Sequence, residues 1–365
     1  MIDPTYRRPI ILLPNRVWRT YSGGAFLDRI EGRAKPHDAN LPEDWVGSAV
    51  RASNPARPGE PIVDEGLCQA RLSDGRILPM TDVLEGDPEA ALGARHVAAF
   101  GVRPELLVKI IDSAVRLSIQ AHPDAAWAQT NLNAPSGKTE AWWIIETREP
   151  DAWVLAGFQR PPSREDWRQM VAAQDSDAML KCFDPVPVSP GDVLLIEGGL
   201  PHAIGPGITL VEIQEPTDFV VHCEYADKTL NIPEANRTMG LGVDRTVDLF
   251  DFTAYTPAEV KKRFGPNPTV IAKSGGGREE ALLASPRTEL LEVRCIEVDG
   301  TFDPLFDGRY SIMIVLDGAG TFTVDGESIP LEPWTRLFLP AAMTEARLEG
   351  QLSIARCLPP QPKAS

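Results

Sequence analysis

Leu117-Ser118-Ile119-Gln120-Ala121-His122-Pro123, Lys138-Thr139-Glu140-Ala141-Trp142-Trp143 and Pro201-His202-Ala203 are the three stretches that decide the fold of this chain. In a strand, residues two apart point to the same face. Gln120 and His122 therefore project together, and so do Lys138 and Glu140. Residues 117–120 and 141–145 are apolar enough to be buried strands. This pattern predicts a Gln, a His and a Glu converging inside a barrel. A further stretch opens with the turn Pro190-Gly191-Asp192, runs through Val193-Leu194-Leu195-Ile196, turns at Gly198-Gly199 and delivers His202. Together the pieces offer two imidazoles and two oxygen donors. Such a set suits a divalent transition metal, zinc first.

The chain has 365 residues, enough for two or three domains with sizeable cores. Its net charge of −16 argues against nucleic acid or an anionic membrane as partner. A small anionic ligand remains compatible, because it meets only its local pocket. Five cysteines, at 68, 182, 223, 295 and 357, are widely spaced and form no CxxC, so neither a disulfide framework nor a cysteine zinc site is expected. No signal-like segment opens the chain and no apolar run reaches about 18 residues, so a soluble cytoplasmic protein is expected. The 34 prolines sit mostly between short apolar runs, as in a mainly β architecture with many turns.

Gly191, Glu197, Gly199 and His202 are spaced as in the second cupin motif, which they resemble with Glu at the usual Pro. With Lys138-Thr139-Glu140-Ala141-Trp142-Trp143, His202-Ala203-Ile204-Gly205 and Glu212-Ile213-Gln214, the set resembles the type I mannose-6-phosphate isomerase family of the cupin superfamily. The resemblance runs from Pro14-Asn15-Arg16-Val17-Trp18 to about Lys228. It implies two cupin-type β jelly rolls and one zinc ion per chain, held by Gln120, His122, Glu140 and His202. It implies an aldose–ketose isomerase acting on mannose 6-phosphate and fructose 6-phosphate, as a monomer or homodimer.

The residues themselves fit that chemistry. One carboxylate, one amide and two neutral imidazoles leave a divalent ion at net +1, which keeps Lewis acidity for an anionic intermediate. Isomerisation also needs a base near the carbons and a cation near the oxygens. Lys138 shares the Glu140 face and is the candidate cation. Glu212 is a candidate acid/base, or equally one half of an ion pair. The resemblance implies that Lys109, eleven residues before Gln120, and Ser118 and Lys228 face the substrate phosphate. A buried serine bonded to backbone and a solvated lysine are the plain alternatives for Ser118 and Lys228. Trp18, which precedes Ser22-Gly23-Gly24, either lines the sugar pocket or anchors a loop. One position departs from the family pattern: ten residues after Glu212, where the family carries a catalytic arginine, stands His222. Histidine shuttles protons but does not grip an anion bidentately. That departure keeps two other functions open, an isomerase of an unphosphorylated sugar such as mannose and a non-catalytic sugar-binding cupin. A cupin oxygenase would want iron and a richer histidine set.

The expected organisation is a metal-binding cupin domain over residues 1–160 and 183–265, with N-terminal strands, interrupted by a helical insertion at 161–182. Ser163 with Asp166, and Thr256-Pro257-Ala258-Glu259, read as helix caps. Residues 266–284, rich in Pro and Gly, read as a linker. Residues 285–365 read as a second jelly roll without metal ligands, with hairpin turns at Asp317-Gly318 and Asp325-Gly326.

Overall fold

The computed structural model describes residues 3–54, 57–60, 62–226 and 232–362. It is mainly β, built from three antiparallel sheets of ten, six and five strands. The five-stranded sheet runs Val186–Pro187, Trp153–Ala156, His202–Ile204, Gln120–Ala121, Val221–His222. The six-stranded sheet runs Val193–Ile196, Glu140–Thr147, Ile208–Gln214, Leu107–Ser113, Glu43–Val46, Arg16–Val17. Among the described residues, no helix is long and apolar enough to cross a membrane.

Alternation in the five-stranded sheet divides packing from chemistry. Ala121, Ala203 and Val221 pack into a cluster with Trp167 and Val171. Their neighbours Gln120, His202 and His222 line up across three strands, His202 opposite Gln120 and Gln120 opposite His222. The helix Arg164–Ala173 supplies the back of that cluster. Its cap is built as the sequence predicts: Asp166 N–H donates to Ser163 Oγ at 3.0 Å, and Ser163 Oγ–H donates to Asp166 Oδ2 at 2.7 Å. Thr256 and Glu259 form a reciprocal capping box at the start of Pro257–Phe264.

The structure differs from the sequence expectation in four places. Residues 117–119 are not a strand; pairing begins at Gln120, and Ile119 N–H is spent on the Glu224 carboxylate. The expected linker is two strands, Thr269–Ser274 and Gly277–Leu283, which extend the ten-stranded sheet. Gly275 and Gly276 sit between them at φ +52° and +99°, the left-handed pair that a tight hairpin requires. Asp317-Gly318 makes no hairpin. Ser311–Val324 runs through as one strand with a register shift between Val315 and Asp317. Asp325-Gly326 does turn the chain into Glu327–Leu331. Finally, the first strand leaves the N-terminal part altogether. Ile10–Leu12 pairs with Arg336–Leu339, and Gln69–Arg71 and Ile77–Pro79 follow it on the same edge. Ile10 and Leu12 are buried there, so an apolar edge that would otherwise face water is covered. Arg336 Nη2 lies 2.7 Å from Asp44 Oδ2 at the seam with the six-stranded sheet.

Candidate active site

The side chains that the sequence singles out meet at a cavity of about 570 Å³. His122 lines the cavity and, with Glu140 and His202 behind it, forms a candidate metal-ligand cluster, each at most 1% exposed, with ligand atoms all within 4.8 Å of one another. His122 Nδ1 donates to the Phe219 carbonyl and His202 Nδ1 to the Leu200 carbonyl, both at 2.8 Å. Those bonds fix the tautomer and turn each Nε2 lone pair toward Glu140, at 3.4 and 3.5 Å. Lys138 Nζ donates to His122 Nε2 and to Glu140 Oε2, both at 2.9 Å. Among the described residues, buried His202 Nε2 has no partner. Burial, with the Lys138 charge behind it, holds the His122 imidazole well below its usual range, and burial brings His202 down to about 4. Both are neutral near pH 7, the form a metal takes. A buried acceptor left without a partner, facing a carboxylate and a second imidazole, fits a divalent cation. Gln120 lies opposite His202 in register and lines the same cavity.

Lys138 stands in an irregular segment just before the strand Glu140–Thr147. Glu215 holds that segment by accepting Gly137 N–H at 3.0 Å and Thr139 N–H at 2.8 Å. From Glu140 a string of charges crosses the six-stranded sheet. Trp142 Nε1 donates to Glu140 Oε1 at 2.9 Å and to Glu212 Oε2 at 3.2 Å. Glu212 lies opposite Lys109, which lies opposite Trp45. Lys109 Nζ bonds Glu212 Oε1 at 2.9 Å, and Nζ lies 4.9 Å from the Trp45 ring centre. Burial and the nearby Glu140 charge raise the Glu212 carboxyl above its ordinary value, against the pull of Lys109. Lys109 is itself raised, because Glu212 and Glu43 outweigh its burial. Glu212 is thus paired with Lys109, and its carboxyl also holds a proton more tightly than usual.

The remaining expected residues are placed as follows. Ser118 lines the cavity, its Oγ 3.4 Å from His222 Nδ1. His222 is brought down to about 4, chiefly by burial, with Asp218 opposing; it is neutral near pH 7. Trp18 lines the cavity while its N–H donates to Glu65. Lys228 lies outside the described residues.

Sequence reasoning missed four cavity residues. Glu43 takes Tyr21 Oη–H and Trp45 Nε1–H, each at 2.7 Å, and Arg19 Nε at 3.0 Å. Arg19 and Lys109, against burial, bring the Glu43 carboxyl to about 2. Arg19 in turn holds Asp218. Two signals were available: Glu43 and Trp45 share a strand face, and Arg19 and Tyr21 interrupt the run between Trp18 and Gly23-Gly24.

Residues 287–359 match the family model described as mannose-6-phosphate isomerase, cupin domain. The chain is similar to a mannose-6-phosphate isomerase of Streptococcus mutans, 31% identical over 277 residues that span 74% of this chain and 81% of that one. It is also similar to a mannose-6-phosphate isomerase of Bacillus subtilis, 36% identical over 178 residues, 48% of this chain and 55% of the relative. In fold it is similar to the crystal structure of the mannose 6-phosphate isomerase from Bacillus subtilis, with a TM-score of 0.73 and 20% identity over 96% of this chain and 99% of that one. With the buried His–Glu–His cluster in place and a relative matched over most of both lengths, the chain belongs to the mannose-6-phosphate isomerase family.

Proposed function

We propose that the chain is a zinc-dependent aldose–ketose isomerase that interconverts mannose 6-phosphate and fructose 6-phosphate in the cytoplasm. The observation that carries this reading is the cluster of His122, Glu140 and His202, which reaches through His122 a cavity that Lys138, Glu212 and His222 also line. The printed names of its relatives support the substrate. Five free cysteines suit a reducing compartment.

His122, His202, Glu140 and Gln120 would hold the zinc. When bound, it supplies a Lewis acid that polarises the sugar oxygens. The chain's own groups do the rest. Lys138 brings a fixed cation to the same oxygens, where negative charge grows as a proton leaves the neighbouring carbon. Glu212, raised by burial, and neutral His222 would take that proton and return it to the adjacent carbon. The apolar wall of Phe219, Val220 and Ile204 limits water at the enediolate.

The test is turnover of mannose 6-phosphate by purified protein, before and after chelation and after zinc is restored, beside a His222→Arg variant. Chelator-sensitive turnover is expected. Metal-loaded protein that binds the sugar and turns over nothing would make it a binding cupin. One observation favours a second reading, an isomerase of unphosphorylated mannose: Lys109 is already committed to Glu212 and Glu43, and His222 is neutral. Side-by-side kinetics with mannose and its 6-phosphate separate the two.

A further inference from the structure

The geometry points to Arg19 as the residue that grips the substrate's phosphate, with the Asp218 carboxylate holding that place until the phosphate displaces it. This rests on the phosphosugar reading above and goes beyond it, because it assigns the anion subsite to a different part of the chain.

Four observations lead there. Arg19 and Asp218 both line the cavity, and so does Ser53. The Asp218 carboxylate sits on the outer fork of the guanidinium, with Nη2 3.2 Å from Oδ1 and Nη1 3.3 Å from Oδ2. The backbone N–H of Ser53 donates to Oδ2 at 3.2 Å. A guanidinium fork plus a backbone N–H is what a phosphate takes. Here a side-chain anion occupies it. Second, the guanidinium cannot swing away to follow its guest: Nε is fixed to Glu43 at 3.0 Å, and Cζ lies 5.0 Å from the centre of the Trp45 ring. Third, Asp218 is the looser partner, with 21% of its side chain exposed against 12% for Arg19. It belongs to a segment without regular structure between Ile208–Gln214 and Val221–His222, so it can turn to water. Fourth, Arg19 and Lys109 approach the same oxygen of Glu43, at 3.0 and 4.0 Å. The fork therefore lies beside the charge string that ends at Glu140, in the same cavity that His122 lines. A sugar bound in that cavity can bring its phosphate to the fork. A dianion outcompetes a single carboxylate for the fork, and the released Asp218 is hydrated.

The test reads inorganic phosphate binding by calorimetry and KM for mannose 6-phosphate in Arg19→Gln, Asp218→Asn and the double variant. Loss of a charged hydrogen-bonded grip should weaken phosphate about 10- to 100-fold in Arg19→Gln, with a matching rise in KM. Asp218→Asn keeps a hydrogen-bond acceptor for the fork, so it preserves the fold; it should tighten phosphate several-fold, and the gain should vanish in the double variant. If both single variants weaken phosphate alike, the pair is a structural clamp and the inference fails. If the gain of Asp218→Asn survives without Arg19, it is a general field effect and the inference fails too. Should Arg19→Gln not fold, Arg19→Lys, which keeps the charge and gives up the fork, takes its place in the cycle. Calorimetry reads the subsite whether or not the sugar turns over, so phosphate held through Arg19 by a protein inactive on mannose 6-phosphate would overturn the isomerase reading only.

Discussion

The ten-stranded sheet and the cavity both bury strings of alternating charge. In the sheet, Glu279 Oε1 takes Arg294 Nη1 at 3.1 Å and Arg356 Nη1 at 3.0 Å, while Arg309 and Arg294 share Glu292, each at 2.6 Å. Glu279 and Arg356 are at most 1% exposed. At the cavity, Lys138, Glu140, Glu212, Lys109, Glu43 and Arg19 are comparably buried and comparably paired. The two differ in what is left over. In the sheet the spare atom is a donor, Arg356 Nη2, and its guanidinium lies 5.2 Å from the Phe306 ring centre, where a cation is welcome. Beside the cavity the spare atom is an acceptor, His202 Nε2, aimed at a carboxylate. Buried charge alone therefore marks nothing. What sets the second network apart is an unanswered lone pair with two further ligand atoms within 4.8 Å of it.

Glu140→Gln breaks the cavity side of the comparison most severely. It removes the one carboxylate of the cluster and leaves Lys138 without its counterion. Turnover should fall by more than the roughly 10- to 100-fold typical of losing an outer-sphere partner, with metal content falling in parallel by elemental analysis. Full activity with no bound metal would end the metal reading.

Arg356→Met tests the sheet side. Glu279 keeps Arg294 but loses one of two cations, so urea unfolding should show a loss of about 3–5 kcal/mol, while metal content per folded chain holds. Adding Glu279→Leu should recover much of the loss, because an apolar pair serves a closed core as well as an ionic one. A variant of full stability and lost activity would show that the two networks communicate.

The smallest effect concerns protons. In metal-free protein the His202 imidazole titrates near 4 when folded and near 6.5 when unfolded. Between those values the unfolded chain binds the extra proton, so stability falls as pH drops through that window. His202→Asn removes this dependence. The slope of stability against pH should then lessen by up to about 1.4 kcal/mol per pH unit between 4 and 6.5, read from urea melts at stepped pH. An unchanged slope would mean that the ring is already hydrated in the folded state.

How far the sequence reaches follows from where each residue's reason lies. His122, Glu140 and His202 were legible because each sits inside a short motif whose strand alternation aims it inward. Glu43, Arg19 and Asp218 were not, since their partners come from strands that only the folded sheet makes neighbours: Glu43 lies opposite Ile111 and Val17. The segment at 266–284 misled for a local reason. Its composition reads as loop, yet Gly275-Gly276 is a hairpin signal, and Gly277–Leu283 alternates buried and exposed positions as a half-buried strand does. Asp317-Gly318 misled in the opposite sense. The same dipeptide that makes a turn at Asp325-Gly326 is absorbed as a bulge when strands on both sides keep pairing across it.

The strand Ile10–Leu12 pairs on one side with Gln69–Arg71, close by in sequence, and on the other with Arg336–Leu339, far along the chain. During synthesis its first edge can close early, while its second must wait until residues 336–339 are made. The ten-stranded sheet therefore ties distant parts of the chain together: without residues 336–339, one edge of Ile10–Leu12 stays open, an exposed edge of the kind that protein quality control recognises.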